Sequence, residues 1–350
     1  MKKYLAFLFQ VIFVLSICIS PDAFSQRLKY TNKNVFRISF YNVENLFDCV
    51  DDPEKLDDEY LPWGFRGWGH ERLDHKLIRI SKTIMAMGDD VPPPIIGLCE
   101  VENSDVLRML VEKTPLQYWG YKYLHNESPD PRGIDVALLY LPACFTPMAT
   151  EDIPVAFSDS NARQTRNILY VKGMLRNGFD VHMFINHWPS RYGGQLASEQ
   201  KRMHAATTLK NHIDSMFAGN PEARIIIMGD FNDTPGNMSM KLLTQAKDRQ
   251  NDPCLINLFE NNKKLNWKGT MKYKADWYIF DQILVSENLV NLKNASYIAE
   301  KYGNIFVKDF LLMPDEKYTG RKPFRTFYGS KYLGGFSDHL PVYIDLMVPE

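Results

Sequence analysis

Short apolar runs recur along the chain at 35–41, 95–99, 134–140, 168–175, 181–185, 225–228, 278–285 and 342–347. Their length, and their content of β-branched and aromatic residues, predict strands. Two windows show the helical period instead. Leu73, Leu77, Ile80, Ile84 and Met87 share one face, as do Met203, Ala206, Leu209, Ile213 and Met216. Strands therefore outnumber helices. The runs 168–175 and 181–186 flank Asn177-Gly178, a hairpin signal, so a purely parallel sheet is not expected. Packed mixed sheets with outer helices fit the pattern better. No repeat, low-complexity tract or linker interrupts it, and one domain over 33–348 is predicted.

Residues 1–25 form a separate unit. Lys2 and Lys3 precede an apolar run over 5–19, and Ala23-Phe24-Ser25 places small residues at the positions a signal peptidase reads. A membrane anchor needs about twenty apolar residues, and this run is shorter and stops at Pro21-Asp22. The expectation is a signal peptide cleaved after Ser25, a secreted or periplasmic mature chain, and no membrane span.

Composition narrows the class further. With 350 residues, 45% hydrophobic and 24% charged, and a net charge of −1, the chain is neither disordered nor collagen-like nor polytopic. A near-neutral molecule does not coat DNA, so any grip on nucleic acid must be local. The stretch 300–336 offers one. Lys301, Lys308, Lys317, Arg321, Lys322, Arg325 and Lys331 are interleaved there with Tyr302, Phe306, Phe310, Tyr318, Phe324, Phe327, Tyr328, Tyr332 and Phe336. Basic groups can meet phosphates while rings stack on bases, although such rings are as often core residues under a long loop. Cys49, Cys99, Cys144 and Cys254 are far apart and lack paired spacing, which predicts neither a zinc ribbon nor a disulfide framework.

Polar residues sit where the strands leave the core. Asn42 and Glu44, two apart, fall on one side of an extended backbone, and Asp230 and Asn232 repeat the arrangement. Glu100 closes one apolar run and His187 another. Asp281 opens inside an apolar strand, where a lone carboxylate would be costly and calls for a histidine or a metal. Asp338 and His339 precede the last strand, their side chains diverging. Converging strand ends make one pocket. Hard oxygen ligands without cysteine select Mg²⁺, Mn²⁺ or Ca²⁺, and histidines with carboxylates supply acid and base. The chemistry suggested is metal-assisted hydrolysis at phosphorus.

The stretches ISFYNVENLFD, IIGLCEVEN, GIDVALLY, TRNILYVKG, INHWPSR, MGDFNDTP, FDQILVS and FSDHLPV, spread over 36–347, resemble those of the endonuclease/exonuclease/phosphatase superfamily in its own order. The resemblance implies a DNase I-like four-layer α/β-sandwich, two packed mixed sheets flanked by helices, and a Mg²⁺-dependent phosphoric ester hydrolase. It implies Glu100 as principal metal ligand, with Asn42, Glu44 and Asp338 around the same cation. Asp230 and Asn232 would position water and phosphoryl oxygens. Asp281 would orient His339, and His187 would face the phosphate from the other side. Arg166 matches a phosphate contact and Asp135 a group behind the ligands. The favoured function is a secreted or periplasmic endonuclease cutting DNA or RNA by in-line water attack, acting as a monomer without a stable protein partner. The alternative is the same chemistry on a phospholipid head group or inositol phosphate. A non-catalytic binding module of this fold is remote, because no member of the set is missing.

Overall fold

The computed structural model describes residues 35–347 apart from 89–90, 158–162, 246–252, 262, 291–296 and 299. The predicted signal peptide and the outermost residues of the predicted domain lie outside the described residues.

In chain order come β1 (Val35–Leu46), α1 (His70–Met87), β2 (Ile95–Val101), α2 (Ser104–Glu112), β3 (Lys122–His125) and β4 (Asp135–Tyr140). Next are β5 (Phe145–Ile153), β6 (Ile168–Leu175), β7 (Asp180–His187), α3 (Gln195–Gly219), β8 (Ile225–Asp230), α4 (Met238–Thr244) and β9 (Leu255–Asn257). The hairpin of β10 (Met271–Tyr273) and β11 (Asp276–Tyr278) precedes β12 (Asp281–Ser286), β13 (Tyr297–Ile298) and β14 (Asn304–Ile305). Two small hairpins, β15 (Leu312–Pro314) with β16 (Arg321–Pro323) and β17 (Phe327–Tyr328) with β18 (Lys331–Tyr332), lead to β19 (Val342–Met347).

These strands build two large mixed sheets. One runs β13-β19-β1-β2-β4-β3, with β14 also on β19, and the other runs β5-β6-β7-β8-β12-β9. Within the large sheets only β1 with β2 and β7 with β8 pair in parallel. Side-chain alternation shows how the layers stack. Met183, Ile185, Ile226 and Met228 join Phe40 and Leu98 in one core between the sheets, which α1 and α2 extend through Leu73, Leu77, Leu107 and Leu110. Phe184, Ile225 and Ile227 point the other way and pack with Ala206, Leu209 and Ile213 of α3 and Leu243 of α4. The order is thus helix, sheet, sheet, helix, the four-layer sandwich expected. The sheets approach closely at Gly97, where a Cβ would come within 2.7 Å of the Met228 sulfur.

The periodic helices and long strands form as predicted. The structure adds elements the pattern did not announce, chiefly β3, α2 and β5. β5 is an edge strand with a register shift between Pro147 and Ala149, as a proline that cannot donate to the ladder requires. The hairpin at Asn177-Gly178 joins β6 to β7, with Gly178 at φ 82°. Cys49, Cys99, Cys144 and Cys254 are all free thiols. No helix among the described residues is long and apolar enough to cross a membrane.

Candidate active site

The two parallel pairs aim their C-terminal ends at one place. Asn42 pairs with Cys99 across β1 and β2, one residue before Glu100, and His187 pairs with Asp230 across β7 and β8. β12 runs the opposite way, so its first residue, Asp281, lies beside Asp230. The loop before β19 adds His339, which bridges to Met271. Each sheet therefore supplies one wall.

Asp281 Oδ2 lies 2.6 Å from His339 Nδ1, the short contact expected of a carboxylate that fixes an imidazole. His339 Nε2 then faces Asp230 Oδ2 at 3.8 Å. On the other side His187 Nε2 stands 3.8 Å from the same Asp230 oxygen and 3.9 Å from Glu100 Oε1. Asn42 Nδ2 donates to Asp230 at 3.0 Å and lies 3.4 Å from Glu100. Asp281 is fully buried and Asp230 is 2% exposed.

The two i, i+2 pairs are related in a way the strand reading did not foresee. Asn42 Oδ1 accepts from the Glu44 backbone N–H and Asp230 Oδ1 from that of Asn232, each at 2.9 Å. These are turns closed by the side-chain oxygen, and they swing the backbone out of the extended state. Glu44 (φ 53°), Asn45 (φ 53°), Glu100 (φ 60°) and Asn232 (φ 51°) all adopt the left-handed region. Such backbone is uncommon outside glycine and costs roughly 1–3 kcal/mol per residue. Its gathering at the convergence of both sheets marks the place where geometry is held against local preference. Part of the holding is visible: the Asn45 N–H donates to Glu100 Oε2 at 2.9 Å.

Burial and charge push the two histidines apart. Burial opposes a charge on His339, but Asp281, Asp230 and Asp338 outweigh it and hold the imidazole well above its ordinary value. For His187 burial, with Arg166, Arg132 and His339, lowers it well below that value. One imidazole is thus kept protonated and its neighbour neutral, the separation that assigns acid and base roles. Burial pushes Asp230 up to about 7, with His339 opposing.

Not every predicted residue joins this cluster. Glu44, expected beside the metal, turns away. It accepts from the Thr326 N–H at 2.6 Å and pairs with Arg325 at 3.4 Å, because the left-handed turn at 44–45 breaks the alternation on which the prediction rested. Asp338 takes the other arm of Arg325 at 3.0 Å. Burial works against its charge, yet Arg325, His339 and Lys76 hold it below the usual carboxylate range. Arg166, expected on a phosphate, donates to the His187 and Trp188 carbonyls at 3.1 and 2.8 Å and to Asp130 at 2.8 Å. It stands under His187 and fixes that strand end. Asn232 also donates to the Trp188 carbonyl, at 3.0 Å. Asp135 bonds to the Ser128 N–H and faces His125.

The structure brings in residues that were not singled out for the site. Arg132 donates to Asn45 Oδ1 at 2.6 Å, and Arg325 joins Glu44 to Asp338. Lys76 of α1, 1% exposed, reaches Thr326 Oγ1 and the Phe336 carbonyl at 2.5 and 2.8 Å. The available signal was strand direction. In an antiparallel partner it is the N-terminal end that reaches the site, and Arg132 lies just before β4, which runs antiparallel to β2; Arg325 comes instead from the loop between β16 and the β17-β18 hairpin.

As a cation site, Glu100 and Asp230 with the His187 imidazole offer hard oxygens and one nitrogen, a set that suits a divalent ion. Glu100 would be its principal ligand; Glu44 and Asp338 are engaged by Arg325.

Glu102, two residues past Glu100, accepts from the Asp48 N–H at 2.6 Å. Burial, reinforced by Asp48, Asp57 and Glu127, pushes its carboxyl from 4.5 up to about 9 despite that bond. A raised carboxyl contributes stability in full below its unfolded value and loses it as pH rises through the folded one. Glu102→Gln should therefore match the wild type near pH 5 and exceed it at pH 8 by on the order of 2 kcal/mol. Thermal melts at the two pH values would read the difference; parallel behaviour would refute a buried neutral Glu102.

A family model described as endonuclease/exonuclease/phosphatase family matches residues 37–348. A search of the curated proteins returned no match. Among solved structures, an endonuclease/exonuclease/phosphatase family protein from Bacteroides thetaiotaomicron is 16% identical, with TM-score 0.57, covering 90% of this chain and 99% of that one. A mannosyl-6-phosphatase of Bacteroides thetaiotaomicron VPI-5482 is also 16% identical, with TM-score 0.56 and coverages of 89% and 99%. The human nocturnin catalytic domain, with a bound sulfate anion, is 17% identical, with TM-score 0.55 and coverages of 90% and 94%. At such identities the likeness is one of fold. The match over 37–348 goes further, and with the converging strand ends it carries one conclusion: the chain belongs to the endonuclease/exonuclease/phosphatase family.

Proposed function

We propose that this protein is a metal-dependent phosphoesterase in which water attacks phosphorus in line with the leaving oxygen. The observation that carries the reading is the contact of 2.6 Å between His339 and Asp281, with the far imidazole nitrogen turned toward Asp230. His339, kept protonated, faces the phosphoryl group and can give a proton to the departing oxygen. Asp230, fixed by the Asn232 N–H and the Asn42 amide, is placed to take a proton from the attacking water. His187 stays neutral between Glu100 and Asp230. Mg²⁺ held by Glu100 would supply charge stabilisation at the phosphoryl oxygens.

The substrate reading shifts with the structure. A nucleic acid was favoured because of the rings in 300–336, yet Phe306, Phe327 and Phe336 are buried. Phe310, Phe324 and Tyr332 pack against the core, and only Tyr328 among the nine rings is exposed. Three of the seven basic side chains are engaged as well, Lys322 with Asp315, Arg321 with Asp309, and Arg325 with Asp338, while Lys301, Lys308, Lys317 and Lys331 are exposed. The 300–336 stretch thus offers little ring surface for stacking, which favours the second reading, a compact phosphate ester such as a lipid head group, an inositol phosphate or a sugar phosphate. The mannosyl-6-phosphatase among the similar folds is consistent with it.

Hydrolysis of plasmid DNA, RNA, sphingomyelin, an inositol polyphosphate and a hexose phosphate should be compared with and without Mg²⁺. Release from a small ester, abolished by EDTA, supports the reading. Nicked plasmid with the small esters intact would restore the nuclease, and no Mg²⁺-dependent release from any of them would remove the phosphoesterase. Export belongs to the same proposal. Expression with the complete N-terminus should yield a mature chain beginning at Gln26, read by N-terminal sequencing; retention of Met1 would refute cleavage.

A further inference from the structure

Away from His339, three side chains converge at the open edge of the first sheet. His125 ends β3, Glu127 follows it, and Asp135 opens the neighbouring β4. Each offers a donor atom, and the three atoms lie within 4.8 Å of one another. The side chains of His125 and Asp135 are each 2% exposed, and His125 Nε2 and Asp135 Oδ2 form no hydrogen bond, only an ion-pair contact with each other. Buried polar atoms without hydrogen bonds are rare and call for an explanation.

Their spacing suggests one. The two atoms stand 3.3 Å apart. Two ligands bound at about 2.0–2.1 Å and at tetrahedral angles to one ion are separated by roughly 3.3–3.4 Å. The far side of each group is already oriented: His125 Nδ1 meets Ser104 Oγ at 3.3 Å, and Asp135 Oδ1 accepts from the Ser128 N–H at 3.0 Å. Partners behind a ligand fix its direction in the same way at established metal centres. Lys55 does not fill the space with its own charge, since its ammonium is bonded to the Ser128 and Asp130 carbonyls at 3.0 and 3.4 Å. Glu127 is exposed and leaves a path for entry.

The geometry points to a second cation site, separate from the catalytic one, in which His125 Nε2, Asp135 Oδ2 and Glu127 bind a zinc-type divalent ion. One imidazole with two carboxylates favours a borderline transition cation over Mg²⁺. The site closes the base of the loop 126–134. That loop carries Asp130, which holds Arg166 at 2.8 Å, and Arg132, which holds Asn45 at 2.6 Å. An ion bound here would steady both supports at once.

The test is calorimetric titration of metal-free full-length protein with Zn²⁺ in millimolar Mg²⁺, repeated with Co²⁺ to follow visible absorption. One Zn²⁺ per chain is expected in the wild type and in Glu100→Gln, weakened by more than about tenfold in His125→Ala and in Glu127→Gln. Glu127→Gln alters an exposed carboxylate and keeps the test decisive should His125→Ala fail to fold. Absence of Zn²⁺ binding by the wild type, or binding undiminished in Glu127→Gln, would overturn the site. Loss of the Zn²⁺ in Glu100→Gln would do so too, by assigning it to the catalytic cluster.

Discussion

His339→Ala should lower turnover by about 10²–10⁴-fold and also lower the melting temperature, because it leaves the fully buried Asp281 carboxylate without its partner. The imidazole is held at one nitrogen by Asp281 and turns the other toward Asp230, so its removal deletes a proton donor as well as a buried ion pair. Asp281→Asn should fall in the same range by a different route. An amide at that position can no longer hold the protonated ring, so the loss should appear in kcat with KM nearly unchanged. Glu100→Gln should nearly abolish turnover by removing the main oxygen ligand. Steady-state rates on whichever ester the substrate comparison identifies would decide. A His339→Ala variant retaining even about a tenth of the wild-type rate would count heavily against the acid–base assignment.

Asp233→Ala is the counterpart in stability. Asp233 is 1% exposed and pairs with the fully buried Arg202 of α3 at 2.8 Å. It also bonds Arg191 at 3.1 Å and the Ser239 hydroxyl at 2.7 Å. Truncation would strand the Arg202 charge in the interior, which costs about 3–5 kcal/mol. Replacing both partners, as Arg202→Met with Asp233→Leu, should recover much of that loss, because the desolvation penalty disappears with the charges. Urea denaturation of the two single variants and the double variant measures the coupling. A single variant within about 1 kcal/mol of the wild type would show that the pair matters little. Asp233 directly follows Asn232, so activity should decline along with stability.

The arrangement of layers was legible in the sequence because it follows from local pattern. The runs at 168–175 and 342–347 coincide with β6 and β19, and the two periodic windows became α1 and α3. β5 escaped because it is an exposed edge whose residues alternate weakly and include Pro147. α2 escaped because it is short, although Asn103 receives the amides of Asp105 and Val106 as a helix cap. At the site, Asp281, His187, Asp230, Asn42 and Glu100 meet because strand direction delivers them, and the loop before β19 adds His339. Where a turn intervened, direction was lost. Glu44 could not be placed from an alternation rule that fails at φ 53°. The position of Arg132 depends on β4 running antiparallel to β2, and that of Arg325 on the loop before β17; composition carries neither.

β1 lies between β2 and β19, six residues of it paired to each side of the register from Val35 to Phe40 and beyond. Among the described residues the first strand thus waits for the last. Until Met347 has been made, one flank of β1 is an open template exposed to any strand that passes, and His339 has not reached Asp281. The histidine–carboxylate pair is thus closed across the chain, Asp281 from β12 and His339 from the loop before β19, and a chain ending after β12 would hold most of the sandwich without it.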